Sequence, residues 1–236
     1  MKNFFKLFGI VALAVVIGFS FASCKPSPDG VVDNGISDGT VASEESIHYV
    51  SNITNEADAK SHTDFSYFRN WEDNEFKSTY SISEKINAPT TVTVSDSKVN
   101  INLGEPKTLW EINNYGDLNT LNNSAGAKIF YCGAFYTQDG KYFLLLGGEK
   151  SEVELLYVDK DTKISGQRVW TWVGEEDGKN YKQTATFNAS LKKGWNFFIW
   201  TLSNTSNNNN TTNYAVTVTA STKIPSGCEW TVRERN

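Results

Sequence analysis

Alternation of apolar and polar residues dominates the chain from Thr79 to its end. Such alternation is typical of strands that bury one face, and turns containing Gly, Asp or Asn separate the alternating stretches. We predict an all-β fold, an antiparallel β-sandwich or barrel of about 9–10 strands, because short strands joined by hairpin turns suit both architectures. The predicted strands are 80–86, 91–94, 98–104, 128–137, 141–147, 152–159, 167–173, 182–191, 195–202 and 214–220, with 229–232 as an added edge.

Two Asp-Gly pairs, Asp139-Gly140 and Asp177-Gly178, lie between predicted strands. Because glycine tolerates a positive φ angle, Asp-Gly between apolar strands is a strong hairpin signal. The stretch 203–213 is polar and includes an unbroken run of Asn at 207–210. We predict that it is a loop.

Two of the predicted strands are apolar on both faces. In 169–173 the valines occupy one face and the tryptophans the other, and 195–202 alternates large apolar side chains on both sides. A sheet with one wet face shows a clean alternation instead. We therefore expect a helix, a long loop, a partner or a ligand to cover the second face.

The tryptophans of these strands are the main candidate for a binding surface. Trp170 and Trp172, together with Trp195 or Trp200 on a neighbouring strand, could form a flat platform that stacks on sugar rings. The alternative is an ordinary core, since large aromatic side chains dominate the burial of apolar surface. We favour the core and keep the platform as the second interpretation.

The segment 47–78 precedes the regular alternation and is predicted to cover part of the core. It holds a short strand pattern at 47–50 and a weak helical pattern at 55–60. Phe65, Phe68 and Trp71 follow at intervals of three, which suits one apolar helical face. An exposed aromatic contact site is the alternative. Between the strands, 104–126 is predicted to be a long connection with a short helical turn.

The N-terminus has the organisation of an export signal. Lys2 and Lys6 precede an apolar run at 7–21, and small residues then lead to Cys24. The run is shorter than the ~20 residues that span a bilayer. We predict a signal peptide at 1–23, a lipidated flexible tether at 24–46 and one β-rich domain at 47–236, comprising the covering segment and a sheet region at 79–236.

Cys24 after a small-small pair resembles the bacterial lipobox. Together with the start at 2–13, and with the segments 155–166 and 190–196, it is similar to spirochaete (treponeme-type) surface lipoproteins of unassigned activity. The resemblance implies acylation of Cys24 and anchoring in the lipid bilayer. Lys25 after the cysteine implies an extracytoplasmic protein of the outer membrane or cell surface rather than of the inner membrane. The alternatives are plain secretion with an incidental cysteine, or an uncleaved anchor helix.

Charge and composition limit the partners. The formal net charge is −5 over 236 residues, and removal of the signal, with its two lysines, makes it −7. An acidic chain without a basic run argues against nucleic acid as a partner. Besides Cys24, only Cys132 and Cys228 remain. They form either a disulfide or two free thiols, and we favour free thiols because Cys132 lies in an apolar strand pattern.

No catalytic constellation is recognisable, so we predict a protein that is not an enzyme and that carries no metal and no cofactor. The only histidines, His48 and His62, lie before the main β region. Asp159 and Asp161 have the first spacing of a calcium loop, but Lys163 occupies the third ligand position, which favours a plain turn. Glu152 and Glu154 share one strand face, and we expect them to be its wet side.

The sequence thus predicts a lipid-anchored, non-enzymatic β-domain that binds a ligand or partner. A glycan, a small apolar ligand and a protein remain open as occupants. The alternatives from other classes are a carbohydrate-binding or carbohydrate-active β-sandwich and a purely structural envelope protein.

Overall fold

The computed structural model describes residues 47–54, 65–69, 79–88, 90–95, 98–112, 118, 120–124, 126–174, 177–208 and 210–234. The predicted signal peptide, Cys24 and the tether lie outside these residues. So do His62, Trp71 and the weak helical pattern at 55–60. Within the described ranges, no helix has the length and hydrophobicity that crossing a bilayer requires.

The protein is built almost entirely of β-strands, which confirms the predicted all-β class. The one helix that the described residues contain is α1 (Ile82–Lys85). The strands are β1 (Ile47–Thr54), β2 (Tyr67–Arg69), β3 (Thr79–Ser81), β4 (Thr90–Ser95), β5 (Lys98–Leu103), β6 (Trp110–Glu111), β7 (Lys128–Cys132), β8 (Phe135–Tyr136), β9 (Tyr142–Gly147), β10 (Ser151–Val158), β11 (Thr162–Val173), β12 (Asn180–Leu191), β13 (Gly194–Asn208), β14 (Thr211–Ser221) and β15 (Glu229–Glu234).

The strands form a large sheet and a small one, arranged like a sandwich. The large sheet follows the order β11-β12-β14-β13-β10-β9-β15, and the small one consists of β1, β5 and β4. Strand β1 joins them, because its end at Ile53 pairs with β15 while the rest pairs with β5. Most pairs are antiparallel, as predicted, but β1 with β15 and β12 with β14 are parallel.

The main core lies between the two sheets. Alternate residues of β4 and β5 face alternate residues of β10 and β13, as the sequence alternation requires. Phe65 and Phe68 are also fully buried in this core. Its further members include Val92, Val94, Val99, Ile101, Leu103, Val153, Leu155, Tyr157, Trp195 and Phe197.

A second core occupies the opposite face of the large sheet. Leu156, Phe198 and Val218 belong to it, and so do Leu118 and Leu121 from the connection between β6 and β7. This connection crosses to the edge strand, where Asn122 pairs with Ser165. The expectation that a segment covers the second face of 195–202 is therefore correct, and the long connection is that segment.

Four local predictions were wrong for physical reasons. The alternating stretch 80–86 continues from β3 into α1, and Phe68 lies in a strand rather than on a helical face. The polar stretch 203–213 is the end of β13, a turn and the start of β14, because pairing with a neighbour outweighs the low strand propensity of Asn. Strand β15 is not an edge, since it pairs with β9 and β1.

Candidate functional site

The long strands β11, β12, β14 and β13 continue past the two cores as a region that we call the tip, which borders the second core at Trp172. It comprises residues 171–174, 177–184, 203–208 and 210–215. Past Thr201, strand β13 has no further residue paired with β10. A register shift between Leu202 and Asn204 marks the change, and the residues 203–208 are all exposed.

Tight turns close the ends of the tip. Gly178 and Asn210 have φ angles of 62° and 63°, the left-handed conformation that Gly and Asn tolerate best. Asp177 fixes the first turn, because its Oδ1 accepts a hydrogen bond of 3.0 Å from the backbone N–H of Lys179. The predicted Asp177-Gly178 hairpin between β11 and β12 is confirmed.

Three aromatic rings form a cluster at the tip. Trp172 of β11 packs against Tyr181 of β12, with ring centroids 5.4 Å apart and planes inclined by 15°. Tyr214 of β14 lies 6.3 Å from Tyr181 and 6.4 Å from Trp172, with planes inclined by 4° and 12°. The three centroids therefore form a triangle of nearly parallel rings, in which each ring neighbours the other two.

A groove with a volume of about 450 Å³ lies beside this aromatic cluster. Thr205 and Tyr214 are direct cross-strand partners, as are Asn207 and Thr212, so all four share one face of the sheet. Thr205 is small, which leaves room beside Tyr214. The groove is lined by Asp177, Lys179, Tyr181, Thr205, Asn207, Asn208, Asn210, Thr211, Thr212 and Tyr214.

The charges of the described lining residues cancel. Among these residues, Asp177 and Lys179 are the ionised ones, and Lys179 Nζ lies 3.7 Å from Asp177 Oδ2. The other described lining residues each offer a hydroxyl or an amide. The groove therefore suits an uncharged ligand that donates and accepts several hydrogen bonds.

Hydrogen bonding sets the protonation of the groove. The Tyr181 hydroxyl donates to Asp177 Oδ2 at 2.6 Å. This bond raises the pKa of Tyr181 to about 12 and lowers the pKa of Asp177 below its ordinary value. Burial, followed by the negative charge of Asp177, raises the pKa of Tyr214. At neutral pH the groove holds two protonated tyrosines and one carboxylate.

The predicted platform paired Trp170 and Trp172 with Trp195 or Trp200, and the structure divides these tryptophans between the two faces of the large sheet. Trp195 is 1% exposed in the core between the sheets, where its Nε1 donates to the backbone oxygen of Gly104 at 3.1 Å. Trp170 is 8% exposed in the second core, and Trp172 and Trp200 are half-buried against it. Trp195 does not join the others, because the alternation along β13 sends Trp195 and Trp200 to opposite faces. The burial of Trp170 agrees with the favoured interpretation as core.

Glu154 is not on a wet face, contrary to expectation, but is 9% exposed in the second core. It accepts hydrogen bonds from the Tyr131 hydroxyl and from Trp200 Nε1, the latter at 2.8 Å. Burial, followed by the charge of Glu152, raises the pKa of Glu154. Burial also raises the pKa of half-buried Glu152, against the opposing charge of Arg233. Its satisfied and enclosed position makes Glu154 part of the packing.

Cys132 and Cys228 are free thiols, so the disulfide alternative is not present. Cys132 is buried in the main core. Burial raises its pKa far above the ordinary thiol value, and burial also raises the pKa of half-buried Cys228. Since the thiolate is the reactive form, Cys132 is an inert core residue.

The described ranges contain no group of three or more His, Cys, Asp or Glu residues arranged to hold a metal ion. Asp161 accepts hydrogen bonds from Lys192 Nζ at 2.7 Å and from the backbone N–H of Lys193 at 2.9 Å. Asp159 accepts from the backbone N–H of Lys128 at 2.8 Å. These contacts confirm that the two aspartates have turn and bridging roles.

Tyr181, Tyr214 and Asn207 were absent from the sequence prediction of the site. Each lies on a different strand, and only the pairing of β12 with β14 and of β14 with β13 brings them together. The Asn run at 207–210, which we predicted to be part of a loop, is the sequence signal that could have indicated this region. No protein-family model, no curated protein and no solved structure matches this chain.

Proposed function

We propose that this protein is a lipid-anchored, extracytoplasmic bacterial protein that binds a neutral saccharide in the groove of its tip. The groove carries the proposal: it combines tyrosine rings and hydroxyls with amides and a paired carboxylate, and the charges of its described ionised residues cancel. Saccharides are uncharged, rich in hydroxyls that both donate and accept, and apolar on their C–H faces. Concave sites with a few placed polar groups beside aromatic side chains are typical of small-ligand binding.

The chemistry of the lining weighs against the other ligands considered. A small apolar ligand needs an apolar enclosure, whereas this groove is lined mainly by Asn and Thr. Nucleic acid needs an excess of Lys and Arg, and the groove has one lysine, already paired with Asp177. The proposed activity is binding without catalysis, because Asp177 is held by Tyr181 and Lys179 in a turn.

The proposed location rests on the N-terminal sequence. The basic start, the apolar run at 7–21 and the small residues before Cys24 together support export and acylation. Each buried methylene of a lipid chain contributes roughly 0.8 kcal/mol, so two or three chains hold a protein durably at a bilayer. Lys25 supports onward sorting to the outer membrane.

The anchor is tested by membrane fractionation of cells that express the full chain. The parent protein should sediment with membranes, and the Cys24→Ala variant should move to the soluble fraction. A Cys24→Ala variant that remains with the membranes would contradict lipid anchoring. Protease added to intact cells then distinguishes surface display from a periplasmic location.

The groove is tested by applying the full chain, extracted in detergent, to an array of neutral and anionic saccharides. A neutral oligosaccharide should be retained, and titration calorimetry should give its affinity. Asn207→Ala should weaken binding about ten-fold, as expected for a lost hydrogen bond left partly unsatisfied. Asn188→Ala is the matched control, because Asn188 is exposed on β12 but faces away from Tyr181.

Retention of no saccharide would overturn the proposed ligand class. Equal affinities of the Asn207→Ala and Asn188→Ala variants would overturn the proposed place of binding. A preference for anionic saccharides would contradict the argument from cancelled charge.

A further inference from the structure

Strand β11 carries a palindrome at the edge of the large sheet. Residues 169–173 read Val-Trp-Thr-Trp-Val in both directions, with Thr171 at the centre. The sheet order begins with β11, so β12 is its one neighbour along this path. Among the described residues, Val169 and Val173 are the large apolar side chains that stand out as exposed, at 48% and 60%.

The outer side of β11 presents backbone groups that suit pairing. Ser165 exchanges two hydrogen bonds of 2.9 Å with Asn122 of the connection, on the side away from β12. In a strand the N–H and C=O of one residue point to the same side, and every second residue repeats that direction. The N–H and C=O groups of Val169, Thr171 and Val173 therefore point outward as well.

We propose that this edge pairs with the same edge of a second copy of the chain, antiparallel and about a two-fold axis at Thr171. Such an interface must be self-complementary, because residue i contacts residue j and j contacts i. The palindrome meets this condition at every position: Val169 faces Val173 of the second copy, Trp170 faces Trp172, and Thr171 faces itself. Exposed strand edges are ready templates for such pairing.

The register also places each pair in the favourable type of position. The outward backbone groups at Val169, Thr171 and Val173 make these the hydrogen-bonded pairs. Trp170 and Trp172 then occupy non-hydrogen-bonded pairs, where the Cα atoms are about 4.5 Å apart and side chains come closest. Cross-strand aromatic pairs and apolar pairs stabilise a sheet at such positions.

Charge complementarity supports the same register. Arg168 lies at one end of the palindrome, and the other end continues into Gly174 and the acidic sequence Glu175-Glu176-Asp177. Antiparallel pairing centred on Thr171 sets Arg168 of each copy opposite Gly174 of the other. Because the pairing is antiparallel, the two Arg168 residues lie at opposite ends of the paired segment, and like charges are kept apart.

The length of the free edge matches this short pairing. The connection occupies the edge at Ser165, and Arg168 Nη1 donates to Thr120 of that connection at 2.7 Å. The paired segment therefore extends from 168 to 174 and ends before the bridge at Ser165. An unrelated extended peptide could also use the edge, but it would not explain why the sequence mirrors itself about Thr171.

The register is tested by adding one cysteine at a time to the full chain in cells and crosslinking with a mild oxidant. Non-reducing electrophoresis then measures the covalent dimer. Thr171→Cys should give covalent dimer, because this position faces itself across the axis. Val169→Cys and Val173→Cys should each give at least about ten-fold less, since self-pairs at those sites are four residues out of register, roughly 13 Å along the strand. Co-expression of the Val169→Cys and Val173→Cys variants should restore the dimer.

The parent chain, with its natural cysteines, sets the background for these comparisons. Thr171→Lys should weaken the native dimer about ten-fold or more in sedimentation experiments, because two like charges then face each other. Thr171 is exposed, so the far-UV circular dichroism of this variant should not change.

Three results would overturn the proposal. The first is a Thr171→Cys variant that gives no more covalent dimer than the parent chain. The others are equal amounts of dimer from Val169→Cys and Thr171→Cys, or a covalent adduct with a different protein in place of the dimer. None of these readouts involves a saccharide, so their failure would leave the proposed function of the groove standing.

Discussion

The two halves of β13 belong to one strand but do different work. Residues 194–199 are buried on both faces, between β10 and β14. Residues 203–208 of the same strand are exposed and contribute Thr205, Asn207 and Asn208 to the groove. The first half is a structural centre and the second half is the proposed recognition surface.

The difference arises from neighbours rather than from backbone conformation. Both halves pair with β14, but only the first half also pairs with β10 and lies between two cores. The register shift at 202–204 allows the chain to leave this environment while keeping its partner β14. Loss of a side chain should therefore cost stability in the first half and binding in the second.

The largest expected effect is the loss of a core tryptophan. Trp195 packs against Tyr157 and Phe130, with ring centroids 5.6 Å and 6.2 Å away. Trp195→Ala should lower the free energy of unfolding by about 3–5 kcal/mol, since it removes a large buried side chain and leaves a cavity. Trp172→Ala is the matched control, because Trp172 is half-buried at the tip, and urea unfolding should show a clearly smaller loss.

Equal losses for Trp195→Ala and Trp172→Ala would contradict the division between centre and tip. If the Trp195→Ala variant does not fold, Trp195→Phe retains most of the volume. That variant should fold and still be less stable than the Trp172→Ala variant, because it loses the hydrogen bond from Trp195 Nε1 to Gly104.

The next effect is a pH dependence of folding stability that originates in the buried carboxyl group of Glu154, opposite the first half of β13. Glu154 has an ordinary pKa of 4.5 when unfolded and a raised pKa when folded, because burial disfavours the carboxylate. The folded state then binds more protons than the unfolded state above pH 4.5. The contribution of Glu154 to the free energy of unfolding is therefore fully present below pH 4.5 and is lost as the pH rises. The loss is at most about 1.4 kcal/mol per pH unit, because one proton is involved.

Urea unfolding at a series of pH values measures this slope. Glu154→Gln keeps an acceptor for Tyr131 or Trp200 but cannot ionise, so the decline of stability toward neutral pH should become smaller. The remaining decline should come from Glu152, whose pKa is also raised by burial. An unchanged slope in the Glu154→Gln variant would show that Glu154 ionises freely in the folded protein.

The smallest effect concerns the turn that supports the groove. Gly178 has a φ angle of 62°, and apart from its chain neighbours no described heavy atom lies within 4 Å of the position that a Cβ atom would take. Only the backbone conformation therefore opposes a side chain there. Gly178→Ala should cost about 1 kcal/mol in thermal or urea unfolding, the usual penalty for alanine in the left-handed region. Gly178→Asn should cost less, because Asn tolerates this region, as Asn210 does in the other tip turn. Equal costs would point to a steric cause instead.

The sequence predicted regular elements well where one local rule decided the outcome. Alternation located β4, β5, β10, β12 and β14, and the Asp-Gly pairs located two hairpins. Alternation failed at 80–86, where α1 follows β3, and propensity failed at 203–208, where the Asn-rich chain is a strand. In both places the outcome depended on contacts with distant parts of the chain.

The binding site was less accessible to sequence reasoning than the fold. Tryptophan content directed attention to Trp170, Trp172, Trp195 and Trp200, but the position of each ring depends on which face and which neighbour its strand receives. Glu154 illustrates the same limit, because its alternation with Val153 and Leu155 is typical of a wet face. Leu118 and Leu121 of the connection between β6 and β7 belong to the core that covers this face of β10.

By itself the sequence determined the all-β class, the main turns, and an apolar second face on 195–202 that required a cover. It also contains the palindrome of β11 and the N-terminal pattern that supports the proposed anchor. Only the tertiary structure decided the parallel pairing of β12 with β14, the identity of the cover and the assembly of the groove from separate strands. The physical reason is that alternation specifies which residues share a face of one strand, whereas strand order and register specify which faces meet.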